Sequence, residues 1–313
     1  MGSPPSRFLW PAWAFLPAVY LAAGLVLRHD GGPFWIWHLV DPSYYYLFDS
    51  LNLALGQAPG HPYHPGTPVQ MIGALLLHMV HRGVGGDMLV ERVLADPEGT
   101  LRVLSTGLLC VTAAAMFAAG LLAHRWLGDW AAGLMVQAGP FLSKVVLKNA
   151  YHVKPEPLLT ALMLVLVVVV IWALRPGVAE RHKTALAVLF GLIAGLGVAT
   201  KLTAAPIFVL PLFLLWGWRP LVLYGLVSAG ALALFTLPAW PAFHKFWALF
   251  VEASLASGAY GQGARTLIDV DTYPQAVLKI FSRPVLHGVF LACLGTALAA
   301  AWRARRRGAP WPA

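Results

Sequence analysis

Leu158-Leu-Thr-Ala-Leu-Met-Leu-Val-Leu-Val-Val-Val-Val-Ile-Trp-Ala-Leu174 is a run of 17 residues without one charge. At about 1.5 Å per residue it is nearly long enough to cross a hydrocarbon core of roughly 30 Å. A backbone in lipid has to satisfy its own polar groups, so such a run is a helix. The rest of the chain repeats the pattern. Of its 313 residues 59% are hydrophobic and only 11% charged, whereas about a quarter of a soluble domain is charged. A soluble domain is excluded, and the class is an all-α, multi-pass membrane protein.

Eight spans are expected, at about 8–27, 102–122, 129–146, 157–174, 184–200, 203–218, 220–238 and 284–302. The first is too long for a signal-peptide core and reads as an uncleaved anchor. Pro68 to Val80 is short, is interrupted by Gln70 and ends at His78 and His81, so it is expected to lie at the interface or to dip in part way. Gly191 and Gly195 have the spacing of close helix packing. Cys110 and Cys293 fall in apolar runs and read as small core residues, with no disulfide framework or thiolate metal site. The net charge of +9 is scattered through loops without a basic arm, which argues against nucleic acid as a partner.

Charge sets the expected orientation. With 68–80 not counted as a span, Arg125, Arg175, Arg181, Lys183, Arg219 and the Arg303–Arg307 tail fall on the side of Arg7, as the positive-inside tendency prefers. Both termini are then cytoplasmic. Of the 13 acidic residues only Asp129 and Glu180 lie inside, and two long segments, about 28–101 and 239–283, lie outside. Lys144, Lys148, Lys154 and Lys201 break the rule in short outer hairpins. Either they snorkel to headgroups or they gather around an anionic ligand.

The outer segments hold the residues with chemistry. Asp41-Pro-Ser-Tyr-Tyr-Tyr-Leu-Phe-Asp-Ser-Leu-Asn-Leu-Ala-Leu-Gly56 repeats apolar residues at 44, 47, 48, 51 and 55, an amphipathic helix expected to lie apolar face down on the membrane. Asp41 opens it, either as an N-cap ahead of a proline or as a catalytic carboxylate. Gly60-His-Pro-Tyr-His-Pro-Gly-Thr-Pro68 holds His61 and His64 in a stiff, extended stretch suited to ligand contact. Lys148-Asn-Ala-Tyr-His-Val-Lys-Pro-Glu-Pro157 puts Lys154 and Glu156 at the mouth of the apolar helix. There a carboxylate is favoured by the helix dipole, yet its place at the edge of hydrocarbon also points to function. Lys201 joins two long apolar runs in Gly195-Leu-Gly-Val-Ala-Thr-Lys201. A glycine-rich stretch, Ser257-Gly-Ala-Tyr-Gly-Gln-Gly263, follows His244 and Lys245, and Tyr260 and His244 are outer-loop contact candidates.

Taken in order, these pieces resemble the polytopic glycosyltransferases of the GT-C superfamily. The likeness is to family 39 and its relatives, the protein O-mannosyltransferases and the bacterial aminoarabinose or sugar transferases that use polyprenyl-phosphate donors. Asp41 stands where the family opens its first outer loop with an acidic residue, and His64-Pro-Gly-Thr-Pro68 looks like a variant of the Lys/His-Pro-Pro-Leu segment. Leu101-Arg-Val-Leu-Ser105 is similar to an Arg-Leu-Pro-Ser helix start, and His124-Arg-Trp-Leu-Gly128 to a basic-aromatic-Leu-Gly turn. Lys154-Pro-Glu156 is similar to Arg-Pro-Asp, and Gly197-Val-Ala-Thr-Lys201 to Gly…Thr-Lys-Gly. Pro42 replaces a second acidic residue found in many members, Gly66 breaks the Pro-Pro pair, and Glu156 replaces the usual Asp.

The resemblance implies a GT-C-like bundle of about eight transmembrane helices with amphipathic juxtamembrane helices in the first outer loop. Residues 1–238 would form the core, 239–283 a second outer loop, and 284–313 the last helix and basic tail. It also implies inverting sugar transfer from a polyprenyl-phosphate-linked donor to an acceptor hydroxyl or amine, at the outer face of a bacterial-type inner membrane. Asp41 would be the general base, with Lys201, Lys154, His64 and Arg102 on the donor phosphate. Glu156 would orient His64 or a lysine, or join a divalent metal with His61 in support. Two other classes fit the composition: a transporter or lipid flippase with an outer anionic vestibule, and a non-catalytic lipid-binding subunit.

Overall fold

The computed structural model describes residues 10–36, 43–63, 65–256, 263–266, 272–282 and 284–306. Among these every regular element is a helix: α1 (Trp10–Gly31), α2 (Ser43–Ala54), α3 (Thr67–Val80), α4 (Asp87–Ala95), α5 (Pro97–Leu127), α6 (Trp130–Ala138), α7 (Lys144–Asn149), α8 (Pro155–Ala173), α9 (Val178–Arg181), α10 (Lys183–Thr200), α11 (Trp218–Thr236), α12 (Phe243–Leu255), α13 (Tyr273–Phe281) and α14 (Pro284–Arg306), with 3-10 segments at Leu202–Phe213 and Leu237–Ala242. The chain divides into two compact units, Met1–Ala248 and Leu249–Ala313. The first carries the candidate site. The second is built on α13 and α14, whose most apolar described stretch is His287–Thr296.

Five stretches are long and apolar enough to cross a membrane: Ala12–Gly31, Pro97–Leu127, Pro155–Ala173, Lys183–Thr200 and Trp218–Leu255. Three of the eight expected spans are not among them: 284–302 falls in α14, with only His287–Thr296 as its apolar stretch, and the other two take another form. The stretch 129–146 is broken into α6, a 3-10 turn at Gly139–Leu142 and α7. Pro140 sits in that turn, and its missing N–H and its ring end the α-helical ladder there. The stretch 203–218 is wound as the 3-10 segment Leu202–Phe213 with Pro206 and Pro211 inside it. Each proline removes one i to i−4 donor, so apolarity alone misjudges both stretches.

The long helices are capped by their own residues. Asp96 accepts the Gly99 N–H at 2.8 Å and Pro97 takes the first position of α5, where no intrahelical donor is lost. At the other end Gly128, at φ +69°, closes α5 by donating its N–H to the His124 carbonyl. The basic-aromatic-Leu-Gly turn is thus a helix stop.

Three apolar clusters hold the first unit. One joins α2, α3, α4, α5 and α8 through Leu47, Val69, Leu89, Leu104 and Leu158. A second joins α8, α10 and α11 around Phe190 and Phe208. The third seats Tyr20 of α1 among Met116, Tyr151 and Leu164. Both cysteines prove exposed, contrary to the expectation of core residues. An apolar helix in lipid has no solvent-facing side to keep polar, so an apolar run does not identify its buried face.

The α2 helix turns its packed face towards protein rather than laying the expected stripe on the membrane. Ser43, Tyr46, Leu47, Ser50 and Leu51 are buried, whereas Phe48 is 41% exposed. Small groups allow the approach: a Cβ on Gly73 of α3 would strike the Ser50 hydroxyl, which is itself satisfied by donating to the Tyr46 carbonyl at 2.6 Å. Pro68 to Val80 forms a single short helix, α3, whose residues Thr67, Val69, Gln70, Gly73, Ala74 and Leu77 are buried.

Gly191 and Gly195 pack α10 against α11. A Cβ on Gly195 would lie 2.5 Å from the Ala231 Cβ and 2.8 Å from the Leu232 nitrogen, while one on Gly225 meets nothing within 4 Å. Gly195→Ala should therefore destabilise the protein by about 1–3 kcal/mol through overpacking. Gly225→Ala should leave the melting temperature in detergent unchanged or raise it, since alanine is the better helix former. Equal melting temperatures for the two variants would rule out this seam as the cause.

Candidate functional site

The starts of α2, α3 and α8 and the end of α10 meet, and Lys154, Glu156 and Lys201 lie at that junction. Lys154 is the residue before α8, in extended conformation at φ −163°, Pro155 takes the first helical position, and Glu156 falls in the first turn. Lys201 ends α10 in the same manner, at φ −158°, with its N–H on the Gly197 carbonyl at 2.8 Å. Both lysines thus leave the helical path where an ionisable side chain can turn away from lipid. Lys201 Nζ donates to Glu156 Oε1 at 2.7 Å, with the two side chains 19% and 26% exposed. Glu156 Oε2 is buried and meets no donor among the described residues.

Backbone bonds tie the other arms to this pair. Ser43 Oγ accepts the Val153 N–H at 3.2 Å, one residue before Lys154. The Gly66 N–H donates to the Ala199 carbonyl at 3.1 Å, two residues before Lys201. Gly66 is at φ +74°, and a Cβ there would meet the Tyr46 hydroxyl at 2.8 Å, so only glycine fits the seam. Ser105 of α5 donates to the Tyr151 carbonyl at 2.6 Å. The serine of Leu101-Arg-Val-Leu-Ser105 thereby anchors the turn that leads to Lys154.

The four irregular lysines separate. Lys144 and Lys148 are exposed, Lys154 is 6% exposed, and Lys201 is half-buried. Arg102 points outward, and its backbone carbonyl accepts Arg28 Nη1 at 2.9 Å; Arg28 also reaches Thr106 Oγ1 at 2.9 Å. His61 is stacked on Tyr45 at 4.6 Å and set edge-on to Tyr63 at 4.4 Å. His244 is exposed, and its neighbour Lys245 donates to the Gly60 carbonyl at 3.0 Å. Asp41, His64 and Tyr260 lie outside the described residues.

Among the described residues no three of His, Cys, Asp and Glu come together as ligands, and the Glu156 carboxylate already receives a lysine ammonium. An ammonium at 2.7 Å supplies the compensating charge itself.

Three polar residues escaped the sequence reading. Glu98 accepts the Tyr44 hydroxyl at 2.5 Å and the Phe34 N–H at 3.1 Å, and this bond together with burial pushes the Tyr44 phenol up to about 12, burial being the larger cause. Asp49, 4% exposed, sits beneath the histidine-bearing stretch. His152, 1% exposed, lies against Tyr151 and Phe34. For Asp49 the signal was a polar residue inside an apolar periodicity, which does not reveal its partner; Glu98 and His152 stand in mixed polar stretches that carry no such signal.

Burial, with Lys154 adding to it, lowers the His152 imidazole to about 4. Unfolded, it titrates near 6.5, so between these values the unfolded chain binds the extra proton and stability falls as pH falls. By pH 5 the loss should reach about 2 kcal/mol, and it should vanish in His152→Gln. Thermal melts of both proteins from pH 7.5 to 4.5 measure it, and parallel curves would assign the acid sensitivity to another group.

No family model, no curated protein and no solved structure matches this chain. The fold by itself defines an all-helical protein whose long apolar helices fit an integral membrane protein.

Proposed function

We propose that this protein is a membrane glycosyltransferase that moves a sugar from a polyprenyl-phosphate donor to an acceptor at the outer face of a bacterial-type inner membrane, with both termini cytoplasmic and no nucleic-acid partner. One observation carries this reading. Ser43 and Gly66, each two residues after a candidate, Asp41 and His64, are bonded to Val153 and Ala199, beside Lys154 and Lys201. The described neighbours of two candidates thus meet the segments that carry Lys154 and Lys201, and this supports the reading.

The chemistry follows from those groups. Asp41 accepts the proton of the acceptor as it attacks the anomeric carbon. The bond from that carbon to the phosphate oxygen breaks, and the departing lipid phosphate gains negative charge. Lys201, Lys154, His64 and Arg102 stabilise that charge more in the transition state than in the ground state. Glu156 holds the Lys201 ammonium in place, and its second oxygen is an acceptor for a hydroxyl of the bound sugar.

The transporter reading draws on the broken stretch α6–α7 and the 3-10 segment, since transporters build sites from discontinuous helices. The break at Gly139–Leu142 carries no ionisable residue, whereas the charged groups collect at the helix ends. This favours an interfacial enzyme. Mass spectrometry of lipids extracted from the purified protein should find a polyprenyl phosphate or its glycosylated form, and the protein should transfer that sugar in vitro. Recovery of bulk phospholipids alone, with no transfer, would defeat the proposal.

A further inference from the structure

We propose that Asp49 is the positioning residue of the histidine-bearing loop, clamping Gly60–His61 so that His61 is presented in one geometry. Asp49 Oδ1 accepts the N–H of Gly60 at 2.7 Å and of His61 at 3.3 Å, and Oδ2 accepts Gln70 Nε2 at 2.8 Å. From α12, Lys245 Nζ donates to the Gly60 carbonyl at 3.0 Å. The Gly60 residue is thus held at both its N–H and its carbonyl. Tyr45, on the same helix as Asp49, stacks its ring on His61 with the planes 5° apart. One helix therefore fixes His61 through its backbone and through its ring.

A carboxylate is an expensive way to pack this place. Asp49 is 4% exposed and Gln70 is 0% exposed, and burial of the ionised group pushes the Asp49 carboxyl above its ordinary value, opposed by the bonds from Gly60 and His61 and by Lys245. An apolar or amide side chain would avoid that cost. What the carboxylate adds is directional: two acceptor oxygens that take three donors from two segments, with charge-assisted bonds roughly twice as strong as neutral ones. Pro62 limits the backbone directly after His61, so a fixed base at 60–61 sets how the His61 ring is held. Ligand-contacting groups lose effect when displaced by even half an ångström or so.

The inference rests on the reading of the His61 loop as part of the donor site, and its test separates the two. Asp49→Asn keeps the shape but removes the charge. It should leave the melting temperature at pH 7 unchanged or raised, because a buried charge is removed. It should raise the KM for the polyprenyl-phosphate sugar about five- to tenfold. Carbethoxylation of His61 by diethyl pyrocarbonate, read by mass spectrometry, should speed up several-fold. Lys245→Met, which frees the other side of Gly60, should also speed modification of His61. Adding Gln70→Glu to Asp49→Asn returns one carboxylate to the pair and should restore part of the lost affinity. A lower melting temperature with KM and His61 reactivity unchanged per folded molecule would make Asp49 a structural residue only and overturn the proposal. Unchanged values throughout would do the same. If the wild type transfers no sugar, the proposed function fails, while the His61 reactivity still decides the role of Asp49.

Discussion

Asp41→Asn should abolish sugar transfer while leaving donor affinity within a few-fold of wild type. An amide has nearly the size of a carboxylate and accepts a hydrogen bond through its oxygen, but it cannot take a proton from an attacking hydroxyl or amine. Positioned general bases contribute about a hundred- to ten-thousandfold, so the loss should be at least two orders of magnitude. The same substitution tests the capping role, since asparagine caps a helix as well as aspartate does. Transfer rates and donor binding measured on purified wild type and variant discriminate between the two. A variant with an unchanged melting temperature and full activity would return Asp41 to the status of a cap.

Lys201→Met should slow transfer or weaken donor binding about ten- to a hundredfold, because a charge-assisted bond to phosphate is worth roughly 1.5–3 kcal/mol. The Glu156 partner sharpens this expectation. Lys201 gives one of its three donors to Glu156 Oε1 at 2.7 Å, leaving two for an anion. Removing the ammonium also strips the carboxylate of its counter-charge, so Lys201→Met should lose stability as well. Glu156→Gln combined with Lys201→Met removes both charges and should recover the melting temperature without recovering transfer. Recovery of both together would reduce Lys201 to a purely structural partner. Arginine at this position should rescue only in part, since a planar fork does not reproduce a compact ammonium.

The candidate site was legible where a charge interrupts apolar sequence. Lys154, Glu156 and Lys201 stand at the ends of long apolar runs, and hydrocarbon admits an ionisable group there only at a cost. That they meet as a pair was not legible, because residues 156 and 201 lie 45 positions apart and only the packing of α8 on α10 brings them together. Asp49 and Glu98 were passed over for a related reason. A buried carboxylate is identified by its donors, and those donors, Gln70 and the Gly60 amide for one and Tyr44 and the Phe34 amide for the other, come from separate segments.

The sequence by itself determined the class and most of the long helices. An apolar run of this length in lipid satisfies its backbone as a helix, so Leu158–Leu174 and its counterparts have to be helices wherever they pack. It also determined the close approach at Gly191 and Gly195, since a missing side chain is visible in the residue type. The tertiary structure alone decided which face of α2 is buried, that the stretch 129–146 breaks at Pro140, and that Cys110 faces outward. Those outcomes depend on which neighbour each surface meets. When lipid and protein interior are equally apolar, hydropathy cannot distinguish a residue facing one from a residue facing the other.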